Sequence, residues 1–474
     1  MPALIYYLNL SGLTARSEAR GRRIVVKEDR FDWPLCPQAT DWVDEQLHGM
    51  IQRAPAIGLL ADRILQRCGV RIVNLIDHLT LPETAESRDA LTAAGFVERA
   101  TVDGDSFWLA PGGRVARVRL DAEVPHPCLC LSVESLDTWL TANAMEVRKR
   151  GGDPGADYEE AWFGGEHEGL GVAARRGYAG FRSQHLSHAR REAIEAAAQA
   201  FDARERGGDE TDVIQAAGAL FTIAAGRIGL ARAVDEFFAS ERRCYMRRNA
   251  AARWMYDRQR ELGFEWANHD HHTYRSSRAA FRALQRLWIE MGFQPRERFY
   301  AGAEAGWGAQ VLEHPVSRVV IFSDVDVAPD ELDLDFANQD LPERNVLGTI
   351  GLWCAMHASS IAAAGMHHLE AEYDFEAASA VLRNAGFGLM APFTDLPMLK
   401  QLFTEPEIWP IASERIGRLR ESGMITADEA ARFGERGAPG SHLEILQRWS
   451  GFKGFNKTGV SAIILATDAR RAGV

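Results

Sequence analysis

Three stretches of the chain repeat the same order of predicted elements, and this repetition constrains the fold more than any other feature. Each begins with a strand that carries histidine, and these strands read RIVNLIDHL, NHDHHTYRS and GMHHLEAEY. A helix follows, with apolar residues at the spacing of one helical face. Each helix ends near a glycine–phenylalanine pair: Gly95-Phe96, Gly292-Phe293 and Gly386-Phe387. Glycine is the usual left-handed stop of a helix, and the phenylalanine can begin the next strand. The recurrence predicts an α+β protein built from repeated βαβββ units.

The repeats suggest three parts. Residues 1–140 are predicted to form a degenerate amino-terminal unit, because Pro82 stands four residues after His78 where the second repeat has an arginine. Residues 141–260 are predicted to be a linker and a helical region, since 148–171 is rich in glycine and charge and alanine-rich helical periodicity follows. Residues 261–474 are predicted to contain two βαβββ-like units that curve around a metal.

Bulk composition excludes several classes of function. The net charge of −12 argues against nonspecific binding of nucleic acid. No run of 18 apolar residues is present, so we expect no membrane span. The six cysteines are scattered without a C-x-x-C pair, which favours reduced thiols in the cytoplasm. The amino terminus lacks a basic segment before its apolar run, so no secretory leader is expected.

The segment WANHDHHTYRSS contains three histidines within four positions. Strand alternation would place His269, His271 and Arg275 on one face, with Asp270 and His272 on the other. Histidine supplies a neutral nitrogen ligand for a metal, and arginine supplies a fork of donors for a carboxylate. A metal and an arginine facing one pocket would suit an anionic substrate that chelates.

A metal site needs more than one histidine. The third repeat offers His367 and His368, of which only one can face the cavity. A carboxylate would complete the two-histidine, one-carboxylate set of non-haem iron(II), which leaves three coordination positions open. Residue chemistry alone does not choose that carboxylate. Histidines that are simply buried in the core or solvated at the surface fit the same pattern.

Five motifs in residues 253–472 resemble the 2-oxoadipate dioxygenase/decarboxylase family, also called hydroxyglutarate synthase, of the vicinal oxygen chelate fold. NHDHHTYRS resembles the family's strand in which a histidine ligand precedes an arginine, which places them at His271 and Arg275. GMHHLEAEYDFEAASAVLRNAGF resembles the strand and helix of the second histidine ligand, at His368. ARFGERG resembles the RFGE motif, whose glutamate ligand falls on Glu435. LEHPVSRVVIFSDVDVAPDEL and GFKGFNKTGVSAIILATDAR complete the order, while the third repeat lacks the family's asparagine and RFGERG is shortened.

This resemblance implies an iron(II) enzyme that takes molecular oxygen as co-substrate. It would oxidatively decarboxylate a 2-oxo acid and hydroxylate it to a 2-hydroxy acid. Arg275 would bind the distal carboxylate of the substrate, although a structural salt bridge with Asp270 or Glu304 is an alternative role. Further contacts to a carboxylate are expected from polar residues near the carboxyl terminus: Ser441, Lys453, Asn456 and Thr458.

Two other functions remain open at this level. One is a different vicinal oxygen chelate metalloenzyme, such as an extradiol-type dioxygenase or an isomerase. The other is a non-catalytic small-molecule binding protein of the same fold that has lost its metal. Metal content separates the binding protein from both enzymes, and oxygen consumption with 2-oxo acids separates the two enzymes.

Overall fold

The computed structural model describes residues 33–100, 103–301, 306–331, 333–394, 396–456 and 459–471. Thr458 and Glu304, which the sequence marked as a substrate contact and as a possible partner of Arg275, lie outside the described residues. The amino-terminal segment for which no leader is expected also lies outside them.

Most strands of the described chain form two sheets. The first has the strand order β2-β3-β4-β1-β5-β8-β7-β6, and the second has the order β10-β11-β12-β9-β13-β17-β14. The strands are β1 Ile76–Pro82, β2 Val97–Ala100, β3 Ser106–Leu109, β4 Arg117–Asp121, β5 Cys128–Val133, β6 Val147–Gly151, β7 Tyr158–Phe163, β8 Leu170–Arg175, β9 His269–Arg275, β10 Gln294–Ala301, β11 Trp307–Glu313, β12 Val320–Asp326, β13 His368–Glu372, β14 Leu399–Phe403, β15 Ile408–Trp409, β16 Ala438–Pro439 and β17 His442–Arg448.

Helices cover the sheets and connect them. The α-helices are α1 Pro37–Arg53, α2 Pro55–Cys68, α3 Ala85–Ala93, α4 Leu136–Ala142, α5 His188–Asp202, α6 Glu210–Ile228, α7 Leu230–Met246, α8 Ala250–Glu261, α9 Phe281–Glu290, α10 Thr349–His357, α11 Phe375–Asn384, α12 Ser413–Glu421, α13 Ala427–Arg436 and α14 Gly459–Ala466. Helices α5 to α8 form the predicted helical insert. Phe238 of α7 packs against His272 and Tyr274 on the outer face of β9, with ring centroids 5.1 and 6.2 Å apart.

The predicted α+β fold of repeated βαβββ units is confirmed. The first sheet contains two complete units, and the second contains one complete unit and one unit with three strands. In the first sheet, β1-α3-β2-β3-β4 is followed by β5-α4-β6-β7-β8. In the second sheet, β9-α9-β10-β11-β12 is followed by β13, α11 and β14. The short β15–β16 pair and helices α12 and α13 then separate β14 from the last strand, β17. This interruption explains why the third sequence repeat loses its regularity after the helix.

The boundary predicted at residue 140 is wrong, because β6, β7 and β8 extend the first sheet to Arg175. The glycines that suggested a linker lie at the turns of two hairpins. Gly152 and Gly155 have φ values of 81° and 82° between β6 and β7. Left-handed backbone of this kind favours glycine. Composition typical of a linker therefore also fits closely spaced hairpins.

The central strands of the two sheets pair with their neighbours in equivalent registers. Strand β1 pairs in parallel with β4 and antiparallel with β5, as β9 does with β12 and β13, and both antiparallel pairs contain a bulge at the same step. Superposing the registers matches His78 with His271, Cys128 with His368, Cys130 with Glu370, Gly171 with Glu444 and Arg175 with Arg448. The two halves are therefore structural copies of each other.

The halves share one hydrophobic core. Buried residues of α1, α2 and the first sheet belong to the same cluster as those of α7, α11 and β17. Gly69 approaches α11 so closely that an added Cβ would lie 2.4 Å from the Cα of Ala378. The backbone N–H of Asp374 donates to the carbonyl of Gly69 at 2.7 Å. All six cysteines are free thiols. Among the described helices, none is long and apolar enough to cross a membrane.

Candidate metal centre

Three buried side chains bring potential metal donors together on the inner face of the second sheet. His271, His368 and Glu444 are 3, 8 and 2% exposed. Nε2 of His368 lies 3.1 Å from Oε2 of Glu444, and Nε2 of His271 lies 3.9 Å from the same oxygen. One donor atom from each residue falls within 4.8 Å of the others. The three strands that carry them, β9, β13 and β17, are consecutive in the sheet.

A β-bulge sets which residues of β9 face this site. Residues 270 and 271 together oppose residue 370 of β13, since His272 pairs with Leu369 and His269 pairs with Ala371. A bulge of this kind interrupts the alternation of faces. The expectation that His269 shares a face with His271 is therefore wrong. The ring of His269 lies beside that of His272, with centroids 5.2 Å apart, on the other side of the strand.

The donor set fits one octahedral metal ion. Metal–ligand bonds of about 2.0–2.2 Å place neighbouring donors about 3 Å apart. The 3.1 Å separation between His368 and Glu444 matches that spacing, and the 3.9 Å separation from His271 needs only a small movement of the ring. Two imidazoles and one carboxylate leave three positions for other ligands.

The groups around the two histidines allow the tautomers that metal binding requires, and Oγ1 of Thr273 lies 2.8 Å from Nε2 of His368. Nδ1 of His368 lies 2.9 Å from Nδ1 of His367, so one of these nitrogens must carry a proton. With His368 as the donor, its Nε2 keeps a lone pair for a metal. Nδ1 of His271 lies 2.8 Å from Oε1 of Glu370. The N–H direction misses this oxygen, so the contact is electrostatic until the ring rotates slightly. Burial lowers the pKa of His271 well below its ordinary value, which keeps the ring neutral.

A chain of buried ion pairs supports Glu370 from behind. Arg448 donates to Oδ2 of Asp270 at 2.8 and 3.0 Å, and its Nη2 lies 3.4 Å from Glu370. Arg114, from the first half of the chain, lies 3.0 Å from Oδ1 of Asp270. Burial alone would raise the pKa of Asp270, but Arg114 and Arg448 outweigh it and hold the pKa well below its ordinary value. Burial beside Glu444 and Asp270 instead raises the pKa of Glu370.

Asp270, His271 and Glu370 also lie close enough to hold an ion. Their charges are already satisfied, however, because Asp270 is paired with two arginines. Gln401 links the two arrangements, since its Nε2 donates to Glu370 at 3.1 Å and to Glu444 at 2.9 Å. We therefore assign this group to the support of His271 and place the candidate ion between His271, His368 and Glu444.

Arg275 faces the same pocket as the three donors. It is 2% exposed, and its guanidinium lies 5.5 Å from the ring centre of Trp353. Among the described residues, no carboxylate lies within ion-pair distance of it, and its Nε has no hydrogen-bond partner. Asp270, a predicted alternative partner, pairs instead with Arg114 and Arg448. An unpaired buried guanidinium in a pocket is suited to a carboxylate ligand.

The pocket is narrow, and its wall is largely apolar apart from the donors, Arg275 and four other polar residues: Thr273, Asp324, His367 and Gln401. Its free volume is about 40 Å³. The ring of His271 lies 4.4 Å from that of Phe322, and the ring of His368 lies 5.0 Å from that of Phe403. The apolar wall is formed by Trp307, Phe322, Phe393, Phe403, Phe455, Ile463 and Ile464. These side chains exclude water from the donors, and a bound substrate would require some of them to move apart.

Glu435, predicted as the third metal ligand, is not brought into the site. It is exposed in the last turn of α13. A capping box of Thr426 and Glu429 starts this helix, and Phe433 is its buried anchor. Glu444, on the strand that follows, occupies the position expected of the carboxylate. The alternating sequence HLEILQR was the only local signal for that strand.

The other predicted contacts lie away from the pocket wall. Ser441 accepts a hydrogen bond from Asn249 at 3.0 Å. Lys453 pairs with Glu313 at 2.7 Å. Asn456 donates to the backbone carbonyl of Phe393 at 2.8 Å, so it can position that ring beside the pocket without touching a ligand.

The copy of this site in the first sheet has lost two of its three donors. His78 matches His271, but Cys128 and Gly171 stand in the places of His368 and Glu444. The ring of Trp162 fills the space beside Gly171, where an added Cβ would lie 2.6 Å away. Within the described residues, His78 belongs to no cluster of three potential metal ligands.

Comparisons with known proteins found similarity only at the level of solved structures. No family model matches the chain, and no curated protein sequence matches it. A 4-hydroxymandelate synthase mutant from Streptomyces coelicolor is 11% identical with a TM-score of 0.28, over 84% of this chain and 99% of that one. Methylmalonyl-CoA epimerase from Mycobacterium tuberculosis is 12% identical with a TM-score of 0.23, over 38% of this chain and 88% of that one.

A third structure is an uncharacterised protein from Shigella flexneri. It is 12% identical with a TM-score of 0.24, over 54% of this chain and 73% of that one. At these values the similarities support no conclusion about function. The functional argument therefore rests on the residues of the site.

Proposed function

We propose that the protein is a mononuclear iron(II) dioxygenase that acts on a 2-oxo diacid of the 2-oxoadipate type. The observation that carries the proposal is one pocket in which the donors His271, His368 and Glu444 lie with Arg275, an arginine that has no carboxylate within ion-pair distance among the described residues. The sequence resemblance to the 2-oxoadipate dioxygenase/decarboxylase family points the same way. Iron bound there would supply redox chemistry toward oxygen and hold the substrate in position.

Residues of the pocket would bind the metal ion and hold its ligands in position. His271, His368 and Glu444 would hold the ion, and the Glu370 carboxylate would orient the ring of His271. Carboxylates behind a ligating histidine fix its tautomer and raise its basicity. Gln401 would hold the Glu444 carboxylate through its other oxygen, Oε1.

Arg275 would bind the carboxylate at the far end of the substrate. A guanidinium that forms no ion pair with a described carboxylate can form a charge-assisted, two-pronged contact with a substrate carboxylate. The apolar wall would pack along the carbon chain and keep water away from the donors. Together, an ion at one end and Arg275 at the other select a substrate with a chelating group and a distal negative charge.

Oxygen consumption tests this proposal. The purified protein is loaded with iron(II) without air, and oxygen uptake and carbon dioxide release are measured with 2-oxo acids of increasing length. We expect uptake with 2-oxo diacids and much weaker uptake with 2-oxo monoacids of the same length. The variants His271→Ala, His368→Ala and Glu444→Ala should abolish it, while Glu435→Ala, on the exposed helix, should retain it.

Each of the other possible results would indicate a different function. A tightly bound metal that is lost in the three variants, without oxygen uptake, would replace the dioxygenase by another metalloenzyme of this fold. A wild-type protein that binds no metal would leave a small-molecule binding protein. Either result would overturn the proposed reaction.

A further inference from the structure

A second cleft lies where the two halves of the chain meet, separate from the metal pocket. Its volume is about 450 Å³. The first half contributes Arg114, Arg117 and Arg175, and the second half contributes Arg318 from the turn between β11 and β12. The metal pocket shares no lining residue with it.

The arginine side of this cleft has more positive charge than its carboxylates balance. Arg117 and Arg175 share a single carboxylate, Asp77, at 3.4 and 2.7 Å. Nη2 of Arg175 is buried and has no hydrogen-bond partner. Burial, together with the neighbouring Arg175, lowers the pKa of Arg117 to about 9. Asp77 offsets part of the repulsion between the two guanidinium groups, and a further anion beside them would be stabilised by both.

Arg318 adds an exposed cation at the mouth of the cleft. Its backbone N–H donates to the carbonyl of His314 at 2.9 Å. Its guanidinium makes no hydrogen bond or ion pair with any described residue. Arg114 and Arg175 repel this group, and Glu313 and Asp77 attract it without forming an ion pair with it.

The backbone at Arg318 is also unusual. Its φ is 62°, in the left-handed region that residues other than glycine rarely adopt. Strain of this kind costs free energy and persists where the surroundings or a function require it. In this turn, it accompanies a cationic side chain that lines the cleft.

Acidic groups line the other side of the cleft. Burial raises the pKa of Asp235 to about 7, although Arg242 opposes this. Glu134 is paired with Arg242 at 2.8 Å. These acids face Arg242 and form no ion pair with Arg117, Arg175 or Arg318. Among the described residues, Asp77 is the only carboxylate partner of Arg117 and Arg175.

We propose that the arginine side of this cleft is a binding site for a small dianion bearing carboxylate or phosphate groups. Arg117, Arg175 and Arg318 would hold the anion. Arg114 is already paired with Asp270 and Glu372 and is not counted among these ligands. Arginine forks bind carboxylate and phosphate oxygens in the same two-pronged way, so both classes share one recognition chemistry. The site is separate from the metal donors and does not depend on the proposed reaction.

Calorimetric titration of the metal-free protein tests the site. The probes are inorganic phosphate and succinate, each compared with sodium chloride at equal ionic strength. We expect one equivalent of phosphate or succinate to bind, and the tighter probe identifies the class of ligand. Arg318→Asn, which keeps a residue tolerant of positive φ, should weaken binding about tenfold or more, because one charge-assisted contact is lost.

Matched variants separate the cleft from general charge effects and from the metal pocket. Arg420→Asn removes the same charge from the exposed end of α12 and should leave the affinity unchanged. Arg275→Asn should also leave it unchanged, even if the proposed reaction is wrong. Arg318→Lys, which keeps a cation, should bind with intermediate affinity.

The proposal is overturned if neither dianion binds more tightly than chloride. It is also overturned if Arg318→Asn binds as the wild type does, or if Arg275→Asn abolishes the binding. In that last case the dianion would occupy the metal pocket.

Discussion

Arg275 and Asp324 lie opposite each other on β9 and β12, at the end of the pocket away from the metal donors. Burial raises the pKa of Asp324 to about 7, and its Oδ1 has no hydrogen-bond partner. The carboxyl group is therefore neutral below that pH and charged above it. Once charged, it attracts Arg275 and competes with a substrate carboxylate for the same guanidinium.

The affinity for a 2-oxo diacid should consequently fall as the pH rises through about 7. Substrate binding at Arg275 favours the neutral form of Asp324, so KM should increase by up to about tenfold per pH unit above that value. Asp324→Asn should remove this slope. The measurement is KM as a function of pH for the wild type and the variant, with Asp333→Asn at the exposed surface as control. The same slope in Asp324→Asn would contradict the assigned competition.

At the scale of single residues, the sequence predicted the kinds of metal donor, two histidines and one carboxylate, but it did not predict which glutamate lies beside the histidines. The resemblance placed His271 and His368 on strands that the structure brings together. It placed the carboxylate on Glu435, because a short acidic motif does not show whether its glutamate lies in a helix or in a strand. Which glutamate meets the histidines depends on pairing between β13 and β17, over residues distant in sequence.

Strands β8 and β17 occupy matching positions in the two halves and end in matching arginines. Arg175 pairs with Asp77 at 2.7 Å, and Arg448 pairs with Asp270 at 2.8 Å. Each aspartate directly precedes the matched histidine, His78 or His271. The aspartate–arginine pair is therefore present in the half without the metal donors as well as in the half with them.

The two pairs allow a matched experiment. Arg448→Met and Arg175→Met each leave a buried aspartate with one arginine fewer, and each should cost about 3–5 kcal/mol of the free energy of unfolding. Only Arg448→Met should also weaken metal binding, because Asp270 and Glu370 lie behind His271. Urea denaturation measures the stability, and equilibrium dialysis against iron(II) measures the affinity. An equal loss of metal in both variants would show that the network does not support His271 specifically.

At the scale of elements, repetition in the sequence predicted the unit but not the number of copies. Three copies were recognised from their histidines and glycine–phenylalanine stops. The unit from β5 to β8 has neither signal, because Cys128 replaces the histidine and its short helix α4 ends at Asn143 instead of a glycine. The bulge in β9 was also not predictable, since it is defined by the partner strand.

The whole molecule is held together by polar and apolar contacts between the halves. Asn74 donates to Glu372 at 2.7 Å, Arg114 pairs with Asp270, and Gly69 packs on α11. These contacts join a degenerate copy to the copy that carries the site. The first half thus supplies Arg114 to the support of the metal donors, which gives it a role despite its lost ligands.

Because the two halves are joined by these contacts, we expect them to unfold cooperatively. Because one hydrophobic cluster spans both halves, neither half can unfold without exposing the core of the other. Urea denaturation followed by tryptophan fluorescence and by circular dichroism should give one coincident transition. Two separate transitions would contradict a shared core and indicate independent halves.

The central claim is that His271, His368 and Glu444 bind one metal ion. Anaerobic titration with iron(II), followed by calorimetry, tests it most directly on the wild type, Glu444→Gln and Glu435→Gln. We expect one ion per chain in the wild type, an affinity at least about 100-fold lower in Glu444→Gln, and no change in Glu435→Gln. Unchanged binding in Glu444→Gln, or loss of binding in Glu435→Gln, would contradict the assignment of the site.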